Sequence, residues 1–156
     1  LESKDWHALM RFAGDNKGSA TLEILLALSI LVFLTYGVIE YGVLQSKHQY
    51  AEHTMHKYKD RMRVEGYLTT ADEAQLINEF NSFGCIVTDI QGPRESRGDS
   101  RVLRTMDLAA STITLRVTCQ PVPEPLLINR LIGSNTPGAA FRIIVGGGGL
   151  SERINP

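Results

Sequence analysis

The sequence predicts an α+β fold: a long N-terminal hydrophobic helix over about residues 20–65, then a small C-terminal β-rich domain. Three observations predict it. Residues 24–39 carry no charge, and the apolar character runs from Ala20 to about Leu44. Residues 45–65 hold neither Pro nor Gly, and apolar side chains recur at steps of three and four, the spacing of one helix face. Thr112 to Cys119 then alternates, with Ile113, Leu115, Val117 and Cys119 at one parity and Thr112, Thr114, Arg116 and Thr118 at the other. That is the period of a half-buried strand.

Residues 1–18 read as a polar leader or cytoplasmic-side segment, weakly amphipathic through Trp6, Leu9, Met10 and Phe12, with a loop from Ala13 to Gly18. The helix is expected to begin at Ser19 or Ala20. At 1.5 Å per residue the run from Ala20 to Leu44 spans roughly 35 Å, enough for a hydrocarbon core of about 30 Å. A cleaved secretory signal fits less well, because such apolar cores hold about 7–15 residues. Lys4, Arg11 and Lys17 on one side balance Lys47, Lys57 and Lys59 on the other, so positive charge does not set an orientation. Beyond the run, Tyr41, Leu44, His48, Ala51, Met55, Tyr58 and Met62 form a stripe. It is expected to pack partly on the chain's own domain and partly on neighbours. Arg61 and Glu65 have the spacing of an i,i+4 ion pair. Gly37 and Gly42 are places for a bend, and Gly66 is the expected stop.

Thr70-Ala71-Asp72-Glu73 reads as a capping box opening a second helix. Ala74, Ile77 and Phe80 mark its buried face, with Leu76 or Phe83 alongside, and Gly84 ends it. Cys85 to Ile90 is a short strand and Gly92 to Ser100 a polar loop. After the strand at Thr112–Cys119, Pro121, Pro123 and Pro125 interrupt the chain. Leu126 to Ile132 reads as a short apolar helix with Pro125 in its first turn. Ala139 to Val145 reads as a strand. Gly146 to Gly149 reads as a flexible joint or a tight packing site. The layout is thus residues 1–18, a long helix at 19–66, and an extracytoplasmic α+β domain at 67–156. The two cysteines, Cys85 and Cys119, form an even pair beside an export-type segment, which suggests a disulfide outside the cytoplasm. The strand period puts Cys119 on the core face, within reach of the Cys85 strand. Two buried thiols are the alternative.

A net charge of −1 gives no case for nucleic-acid binding. His48, Glu52 and His56 fall at i, i+4 and i+8, with His53 nearby, but no Cys or tight His pair completes a zinc set. They read as a solvated face, and no metal or cofactor is expected. Arg97-Gly98-Asp99 is ordinary turn chemistry. No Lys-Ser/Thr follows the glycine run, so it is not a phosphate loop. No nucleophile motif is present, and the chain does not read as an enzyme.

Glu23, at the head of the apolar run, is the residue that most needs a reason. A carboxylate inside an apolar helix bundle costs several kcal/mol unless paired. Gly18 and Ser19, followed by an apolar helix with Glu23 as its fifth residue, resemble a type IV prepilin processing site. In that family a membrane peptidase cuts after the Gly, and the fifth-position Glu pairs with the new N-terminal amine of a neighbour. Gly37-Val38-Ile39-Glu40-Tyr41-Gly42 is similar to the Gly-Ile-Ile-Glu-Phe-Gly element that closes the apolar helix of TadE-like proteins, the minor pseudopilins of tight-adherence pili. The resemblance covers about residues 17–66. It departs at Ser29, where TadE-like helices often carry a proline, and beyond residue 66 it is one of architecture.

The resemblance implies a pilin-like fold and a structural subunit, pilin or pseudopilin, of an extracellular surface filament. It implies processing at Gly18 and Ser19, and roles in assembly and register for Glu23, Gly37, Glu40 and Gly42. The implied partners are further copies in a helical filament and other subunits of the pilus and its assembly machinery. The chain would sit in the cell membrane as a precursor and then at the cell surface. The alternative is a monomeric, single-pass, membrane-anchored extracytoplasmic binding protein, with Glu23 and Glu40 near the two membrane interfaces.

Overall fold

The structure, a computed structural model, describes residues 16–126 and 141–154, with side chains from Ala20 onward. The expected polar head lies outside the described residues up to position 15. The chain divides into two units, Leu1–Ile39 and Glu40–Pro156. In the first, the described residues are helical throughout.

Helix α1 runs over Asn16–Glu65. It starts three residues before the expected Ser19, so residues 16–18 are helix rather than loop. One glycine costs a helix only about 1 kcal/mol, too little for Gly18 to stop it. The far end is where the sequence places it. Gly66 adopts φ +82° and donates its N–H to the Met62 carbonyl at 2.8 Å, a left-handed cap. A Cβ there would lie 2.7 Å from the Val102 carbonyl oxygen.

The stripe on the second half of α1 is buried from Ala51 on: Ala51, Met55, Tyr58 and Met62 are all at or below 1% exposure. Leu44 is half-buried against the same core, whereas Tyr41 is exposed. Arg61 does not pair with Glu65. Its Nη1 donates to Asp72 Oδ1 at 2.7 Å, and Glu65 meets Arg153 at 3.4 Å. Asp72, on the neighbouring helix, offers Arg61 the closer carboxylate.

Helix α2 spans Thr70–Ser82, and its cap is Thr69 rather than Thr70. The Asp72 N–H donates to Thr69 Oγ1 at 3.1 Å. Thr70 is taken up elsewhere, donating its N–H and its hydroxyl to Glu95 Oε2. Glu73, expected to close the box, instead bonds Arg94 and Ser96. Leu76 and Phe80 are the buried residues of α2, Ile77 and Phe83 pack partly on the core, and Ala74 faces solvent.

Three strands complete the domain: β1 (Cys85–Gln91), β2 (Thr112–Pro121) and β3 (Ile143–Leu150). They form one antiparallel sheet in the order β1-β2-β3. A bulge at Thr88 shifts the β1–β2 register. The alternation of β2 holds, with Ile113, Leu115, Val117 and Cys119 fully buried. A 3₁₀ turn at Glu95–Arg97 follows β1, and Asp99 Oδ2 accepts the Arg94 N–H at 3.0 Å, so Arg97-Gly98-Asp99 lies in a turn. The expected helix at Leu126–Ile132 lies outside the described residues apart from Leu126, as do Ala139 and Ala140.

The glycine run corrects the joint reading. Gly146 to Gly149 are β-strand, paired with Arg116, Leu115, Thr114 and Ile113 of β2. Helix packing explains them. A Cβ at Gly147 would touch Lys59 and Met55 at 3.5–3.6 Å, and one at Gly149 would lie 2.9 Å from Arg63 Cδ. Lys59 and Arg63 are one helical turn apart, about 6 Å, and two strand residues advance by about 7 Å. The two elements therefore climb together, and each of these glycines leaves room for one long side-chain stem.

Candidate assembly surface

Two polar features frame the apolar part of α1. Between Leu22 and Val43 every large apolar side chain is exposed, from Val38 at 71% to Phe33 at 45%. Successive helical residues are 100° apart, so this surface is apolar all round. A helix of that kind belongs in the core of a larger assembly or in a membrane. It is long and apolar enough to cross a bilayer, and none of its most apolar stretch is buried.

The Ser29 and Thr35 hydroxyls in this stretch are satisfied by the helix itself. Ser29 Oγ donates to the Leu25 carbonyl at 2.8 Å and Thr35 Oγ1 to the Leu31 carbonyl at 2.7 Å. Such back-bonding lets Ser and Thr sit in an apolar surrounding. Glu23 has no equivalent. Among the described residues its carboxylate has no hydrogen-bond or ion-pair partner. It is the one charged side chain between Ala20 and Ile39.

Gly18 and Ser19 lie on the helical backbone, and their side chains are outside the described residues. Gly37 and Gly42 are within α1. A Cβ at Gly42 would meet nothing within 4 Å, so the chain's own packing does not require a glycine there.

Glu40 belongs to the second unit and is engaged within it. Its Oε1 accepts the Leu126 N–H at 2.6 Å, 86 residues away in sequence. About two turns of helix beyond it, and on the same side as Leu44 and Ala51, Lys47 donates to the Gly84 and Val122 carbonyls at 2.9 and 2.7 Å. Burial lowers the Lys47 pKa from the usual lysine value. Gly84, at φ +71°, makes room for this: a Cβ would lie 2.8 Å from the Val122 oxygen and 3.1 Å from Lys47 Nζ. The Val122 N–H returns a bond to the Gly84 carbonyl at 2.8 Å.

Beside this knot Cys85 and Cys119 form a disulfide, with Cα atoms 5.6 Å apart. Cys85 lies opposite Pro121, and Cys119 opposite Val87, so the bond runs diagonally across β1 and β2. The structure thus brings Lys47, Gly84, Val122 and the disulfide together at the end of the domain near Glu40. Sequence reasoning missed Lys47. Its signal was present: Leu44, Lys47, Ala51, Met55, Tyr58 and Met62 keep steps of three and four. A lysine on a buried stripe needs acceptors.

Elsewhere on α1, His48 Nδ1 lies 3.9 Å from Glu52 Oε1, and His56 Nδ1 lies 3.1 Å from Lys59 Nζ. Among the described residues no three His, Cys, Asp or Glu side chains gather as a metal set.

Compared with protein-family models, with curated proteins and with solved structures, the chain has no match.

Proposed function

We propose that this chain is a structural subunit, pilin or pseudopilin, of a cell-surface filament, with a pilin-like fold and no catalytic role. Copies assemble by moving the apolar half of α1 from a membrane into a bundle of the same helices. The observation that carries this reading is Glu23, a carboxylate with no partner among the described residues, on a stretch of helix that is otherwise apolar all round and whose Ser29 and Thr35 hydroxyls bond the helix itself. A lone membrane anchor gains nothing from such an acid. A bundle gains register, because only one axial offset brings each Glu23 to a positive group of a neighbour.

Moving a helix from lipid to protein supplies little hydrophobic drive. Close packing and the pairing of Glu23 therefore have to favour the bundle, and the open space at Gly42 suits a neighbouring backbone. Glu40 then has a different task from Glu23: it fastens the domain to its helix through Leu126. The disulfide suits a domain held outside the cytoplasm.

Electron microscopy of material sheared from cells tests the reading, in the native chain and in Glu23→Gln. The expected result is filaments containing this chain, lost in the variant while membrane-inserted precursor persists. Recovery of the native chain solely from detergent-extracted membranes would sink it and leave the monomeric anchored protein.

A further inference from the structure

Of the four methionines, Met10 lies outside the described residues, and the other three occupy two kinds of surrounding. Met55 and Met62 are each 1% exposed. They sit on the buried stripe of α1, Met55 against Gly147 and Met62 against Gly92. Met106, between the 3₁₀ turn and β2, is fully exposed. The chain's two cysteines are joined in the buried disulfide. No thiol therefore competes for an oxidant, and the methionine thioether is the oxidisable sulfur that is left.

The loop around Met106 is braced without its side chain. The Asp107 carbonyl accepts the Ser111 N–H at 3.1 Å, the Ser111 hydroxyl at 2.8 Å and the Thr105 hydroxyl at 3.0 Å. Asp107 Oδ1 accepts the Ala109 N–H at 2.9 Å, and Ser111 Oγ accepts the Thr105 N–H at 2.8 Å. Thr112 Oγ1 donates to the Leu108 carbonyl at 2.7 Å. Ser111, at the centre of these bonds, is buried. A polar frame thus holds the backbone on both sides of Met106, and the thioether stands in solvent beside an exposed Leu108.

We propose that Met106 is an oxidation site, at which the domain takes up oxygen from a peroxide while its fold stays intact. The thioether sulfur attacks one peroxide oxygen. An S–O bond forms as the O–O bond breaks, and the other oxygen leaves with both hydrogens as water. Sulfur is oxidised and the peroxide reduced. The product, methionine sulfoxide, is polar, and sulfoxide reductases return it to the thioether. At Met55 or Met62 it would place a polar group in a packed apolar core, at a cost. At Met106 it meets water, so the tip of the loop turns from apolar to polar and the frame behind it is unchanged. This holds whether or not the chain assembles into filaments.

The full chain in detergent, with the disulfide intact, tests this. It is treated with dilute hydrogen peroxide, quenched with catalase at intervals, digested and read by mass spectrometry. The expected result is one added oxygen on the peptide carrying Met106, gained at least about tenfold faster than on those carrying Met55 and Met62, which react only when the core opens. After unfolding in guanidinium the three rates should converge. Circular dichroism of the chain oxidised at Met106 should give the thermal midpoint of the untreated chain. Uptake at Met55 or Met62 as fast as at Met106, in protein that circular dichroism shows to be folded, overturns the site. A midpoint that falls on oxidation of the native chain but holds in Met106→Leu overturns it too, because the side chain would then be part of the packing.

Discussion

Alanine placed at the glycines of the domain should sort them by what lies against them. At Gly148 a Cβ would meet the Ile113 oxygen at 3.5 Å and Thr114 Cγ2 at 3.7 Å, ordinary contacts on an exposed strand. Gly148→Ala should therefore stabilise by about 0.4–1 kcal/mol, through the lower entropy of the unfolded chain. Gly92 is the opposite case. Its φ is +143°, and a Cβ would lie 2.5 Å from the Thr114 backbone oxygen, which the sheet holds in place. Gly92→Ala should cost roughly 1–3 kcal/mol in backbone strain alone. Gly149 falls between. Its obstacle is Arg63, a flexible side chain, but one bonded to the Leu150 carbonyl at 3.1 Å and to Glu152 at 2.6 Å. Losing such exposed contacts costs about 0.2–1 kcal/mol, close to the entropic gain, so Gly149→Ala should be near neutral. At roughly 3 °C per kcal/mol for a chain of this length, the two extremes should differ by about 4–12 °C in Tm. Thermal unfolding of the full chain in detergent, followed by circular dichroism with the disulfide intact, measures this. If Gly148→Ala destabilises as much as Gly92→Ala, the packing of α1 on β3 described above is wrong.

Three further outcomes are expected. Thr69→Ala should lose about 1 kcal/mol with the helix cap, and Thr70→Ala clearly less; chemical unfolding midpoints of the two variants decide which threonine is the cap. Tyr58, buried and bonded to Glu79 at 2.9 Å, has its pKa pushed up to about 12, by burial first and then by Glu79. Its contribution is fully present below the unfolded value near 10 and falls away between about pH 10 and 12, by on the order of 2 kcal/mol. Urea unfolding across that range should show a shallower loss in Tyr58→Phe, and an unchanged slope would refute the assignment. Replacing both Cys85 and Cys119 by Ala, across a separation of 34 residues, should cost about 4 kcal/mol in the chain-entropy model, read as a lower unfolding midpoint than that of the oxidised native chain.

What could be read in the sequence was local and periodic. The alternation of β2 and the steps of Ala51, Met55, Tyr58 and Met62 each state their own buried face. The stop at Gly66 needs no partner outside its own turn. Other features depended on residues distant in the chain. Glycines have no side-chain period, so nothing local distinguished a strand at Gly146–Gly149 from a joint; the distinction lies in Lys59, Arg63 and β2. Two adjacent threonines offered equal caps until Glu95 engaged one of them. Arg61 found Asp72 rather than Glu65 because α2 folds back beside α1. The candidate surface divides in the same way. Glu23 stands out by its setting alone, and Lys47 by its place on the buried stripe, whereas the identity of its two carbonyl acceptors and the bond of Glu40 to Leu126 have no sequence signature.

The glycine strand also raises a question of alignment. In most strands a one-residue slip turns every side chain to the wrong face and is excluded on that ground. Over four identical residues without side chains, a slip changes nothing locally, so Gly146 to Gly149 carry no information about their own alignment. That information must come from the flanks. On one side Ile143 and Val145 enter the core. On the other, Ser151 is fully buried, donating its hydroxyl to Val102 and its N–H to Ser111. The middle of β3 is thus like a blank stretch of ruler, read only from the marks at its two ends, and substitutions that shift strand alignment should map to Ile143, Val145 and Ser151 rather than to the glycines.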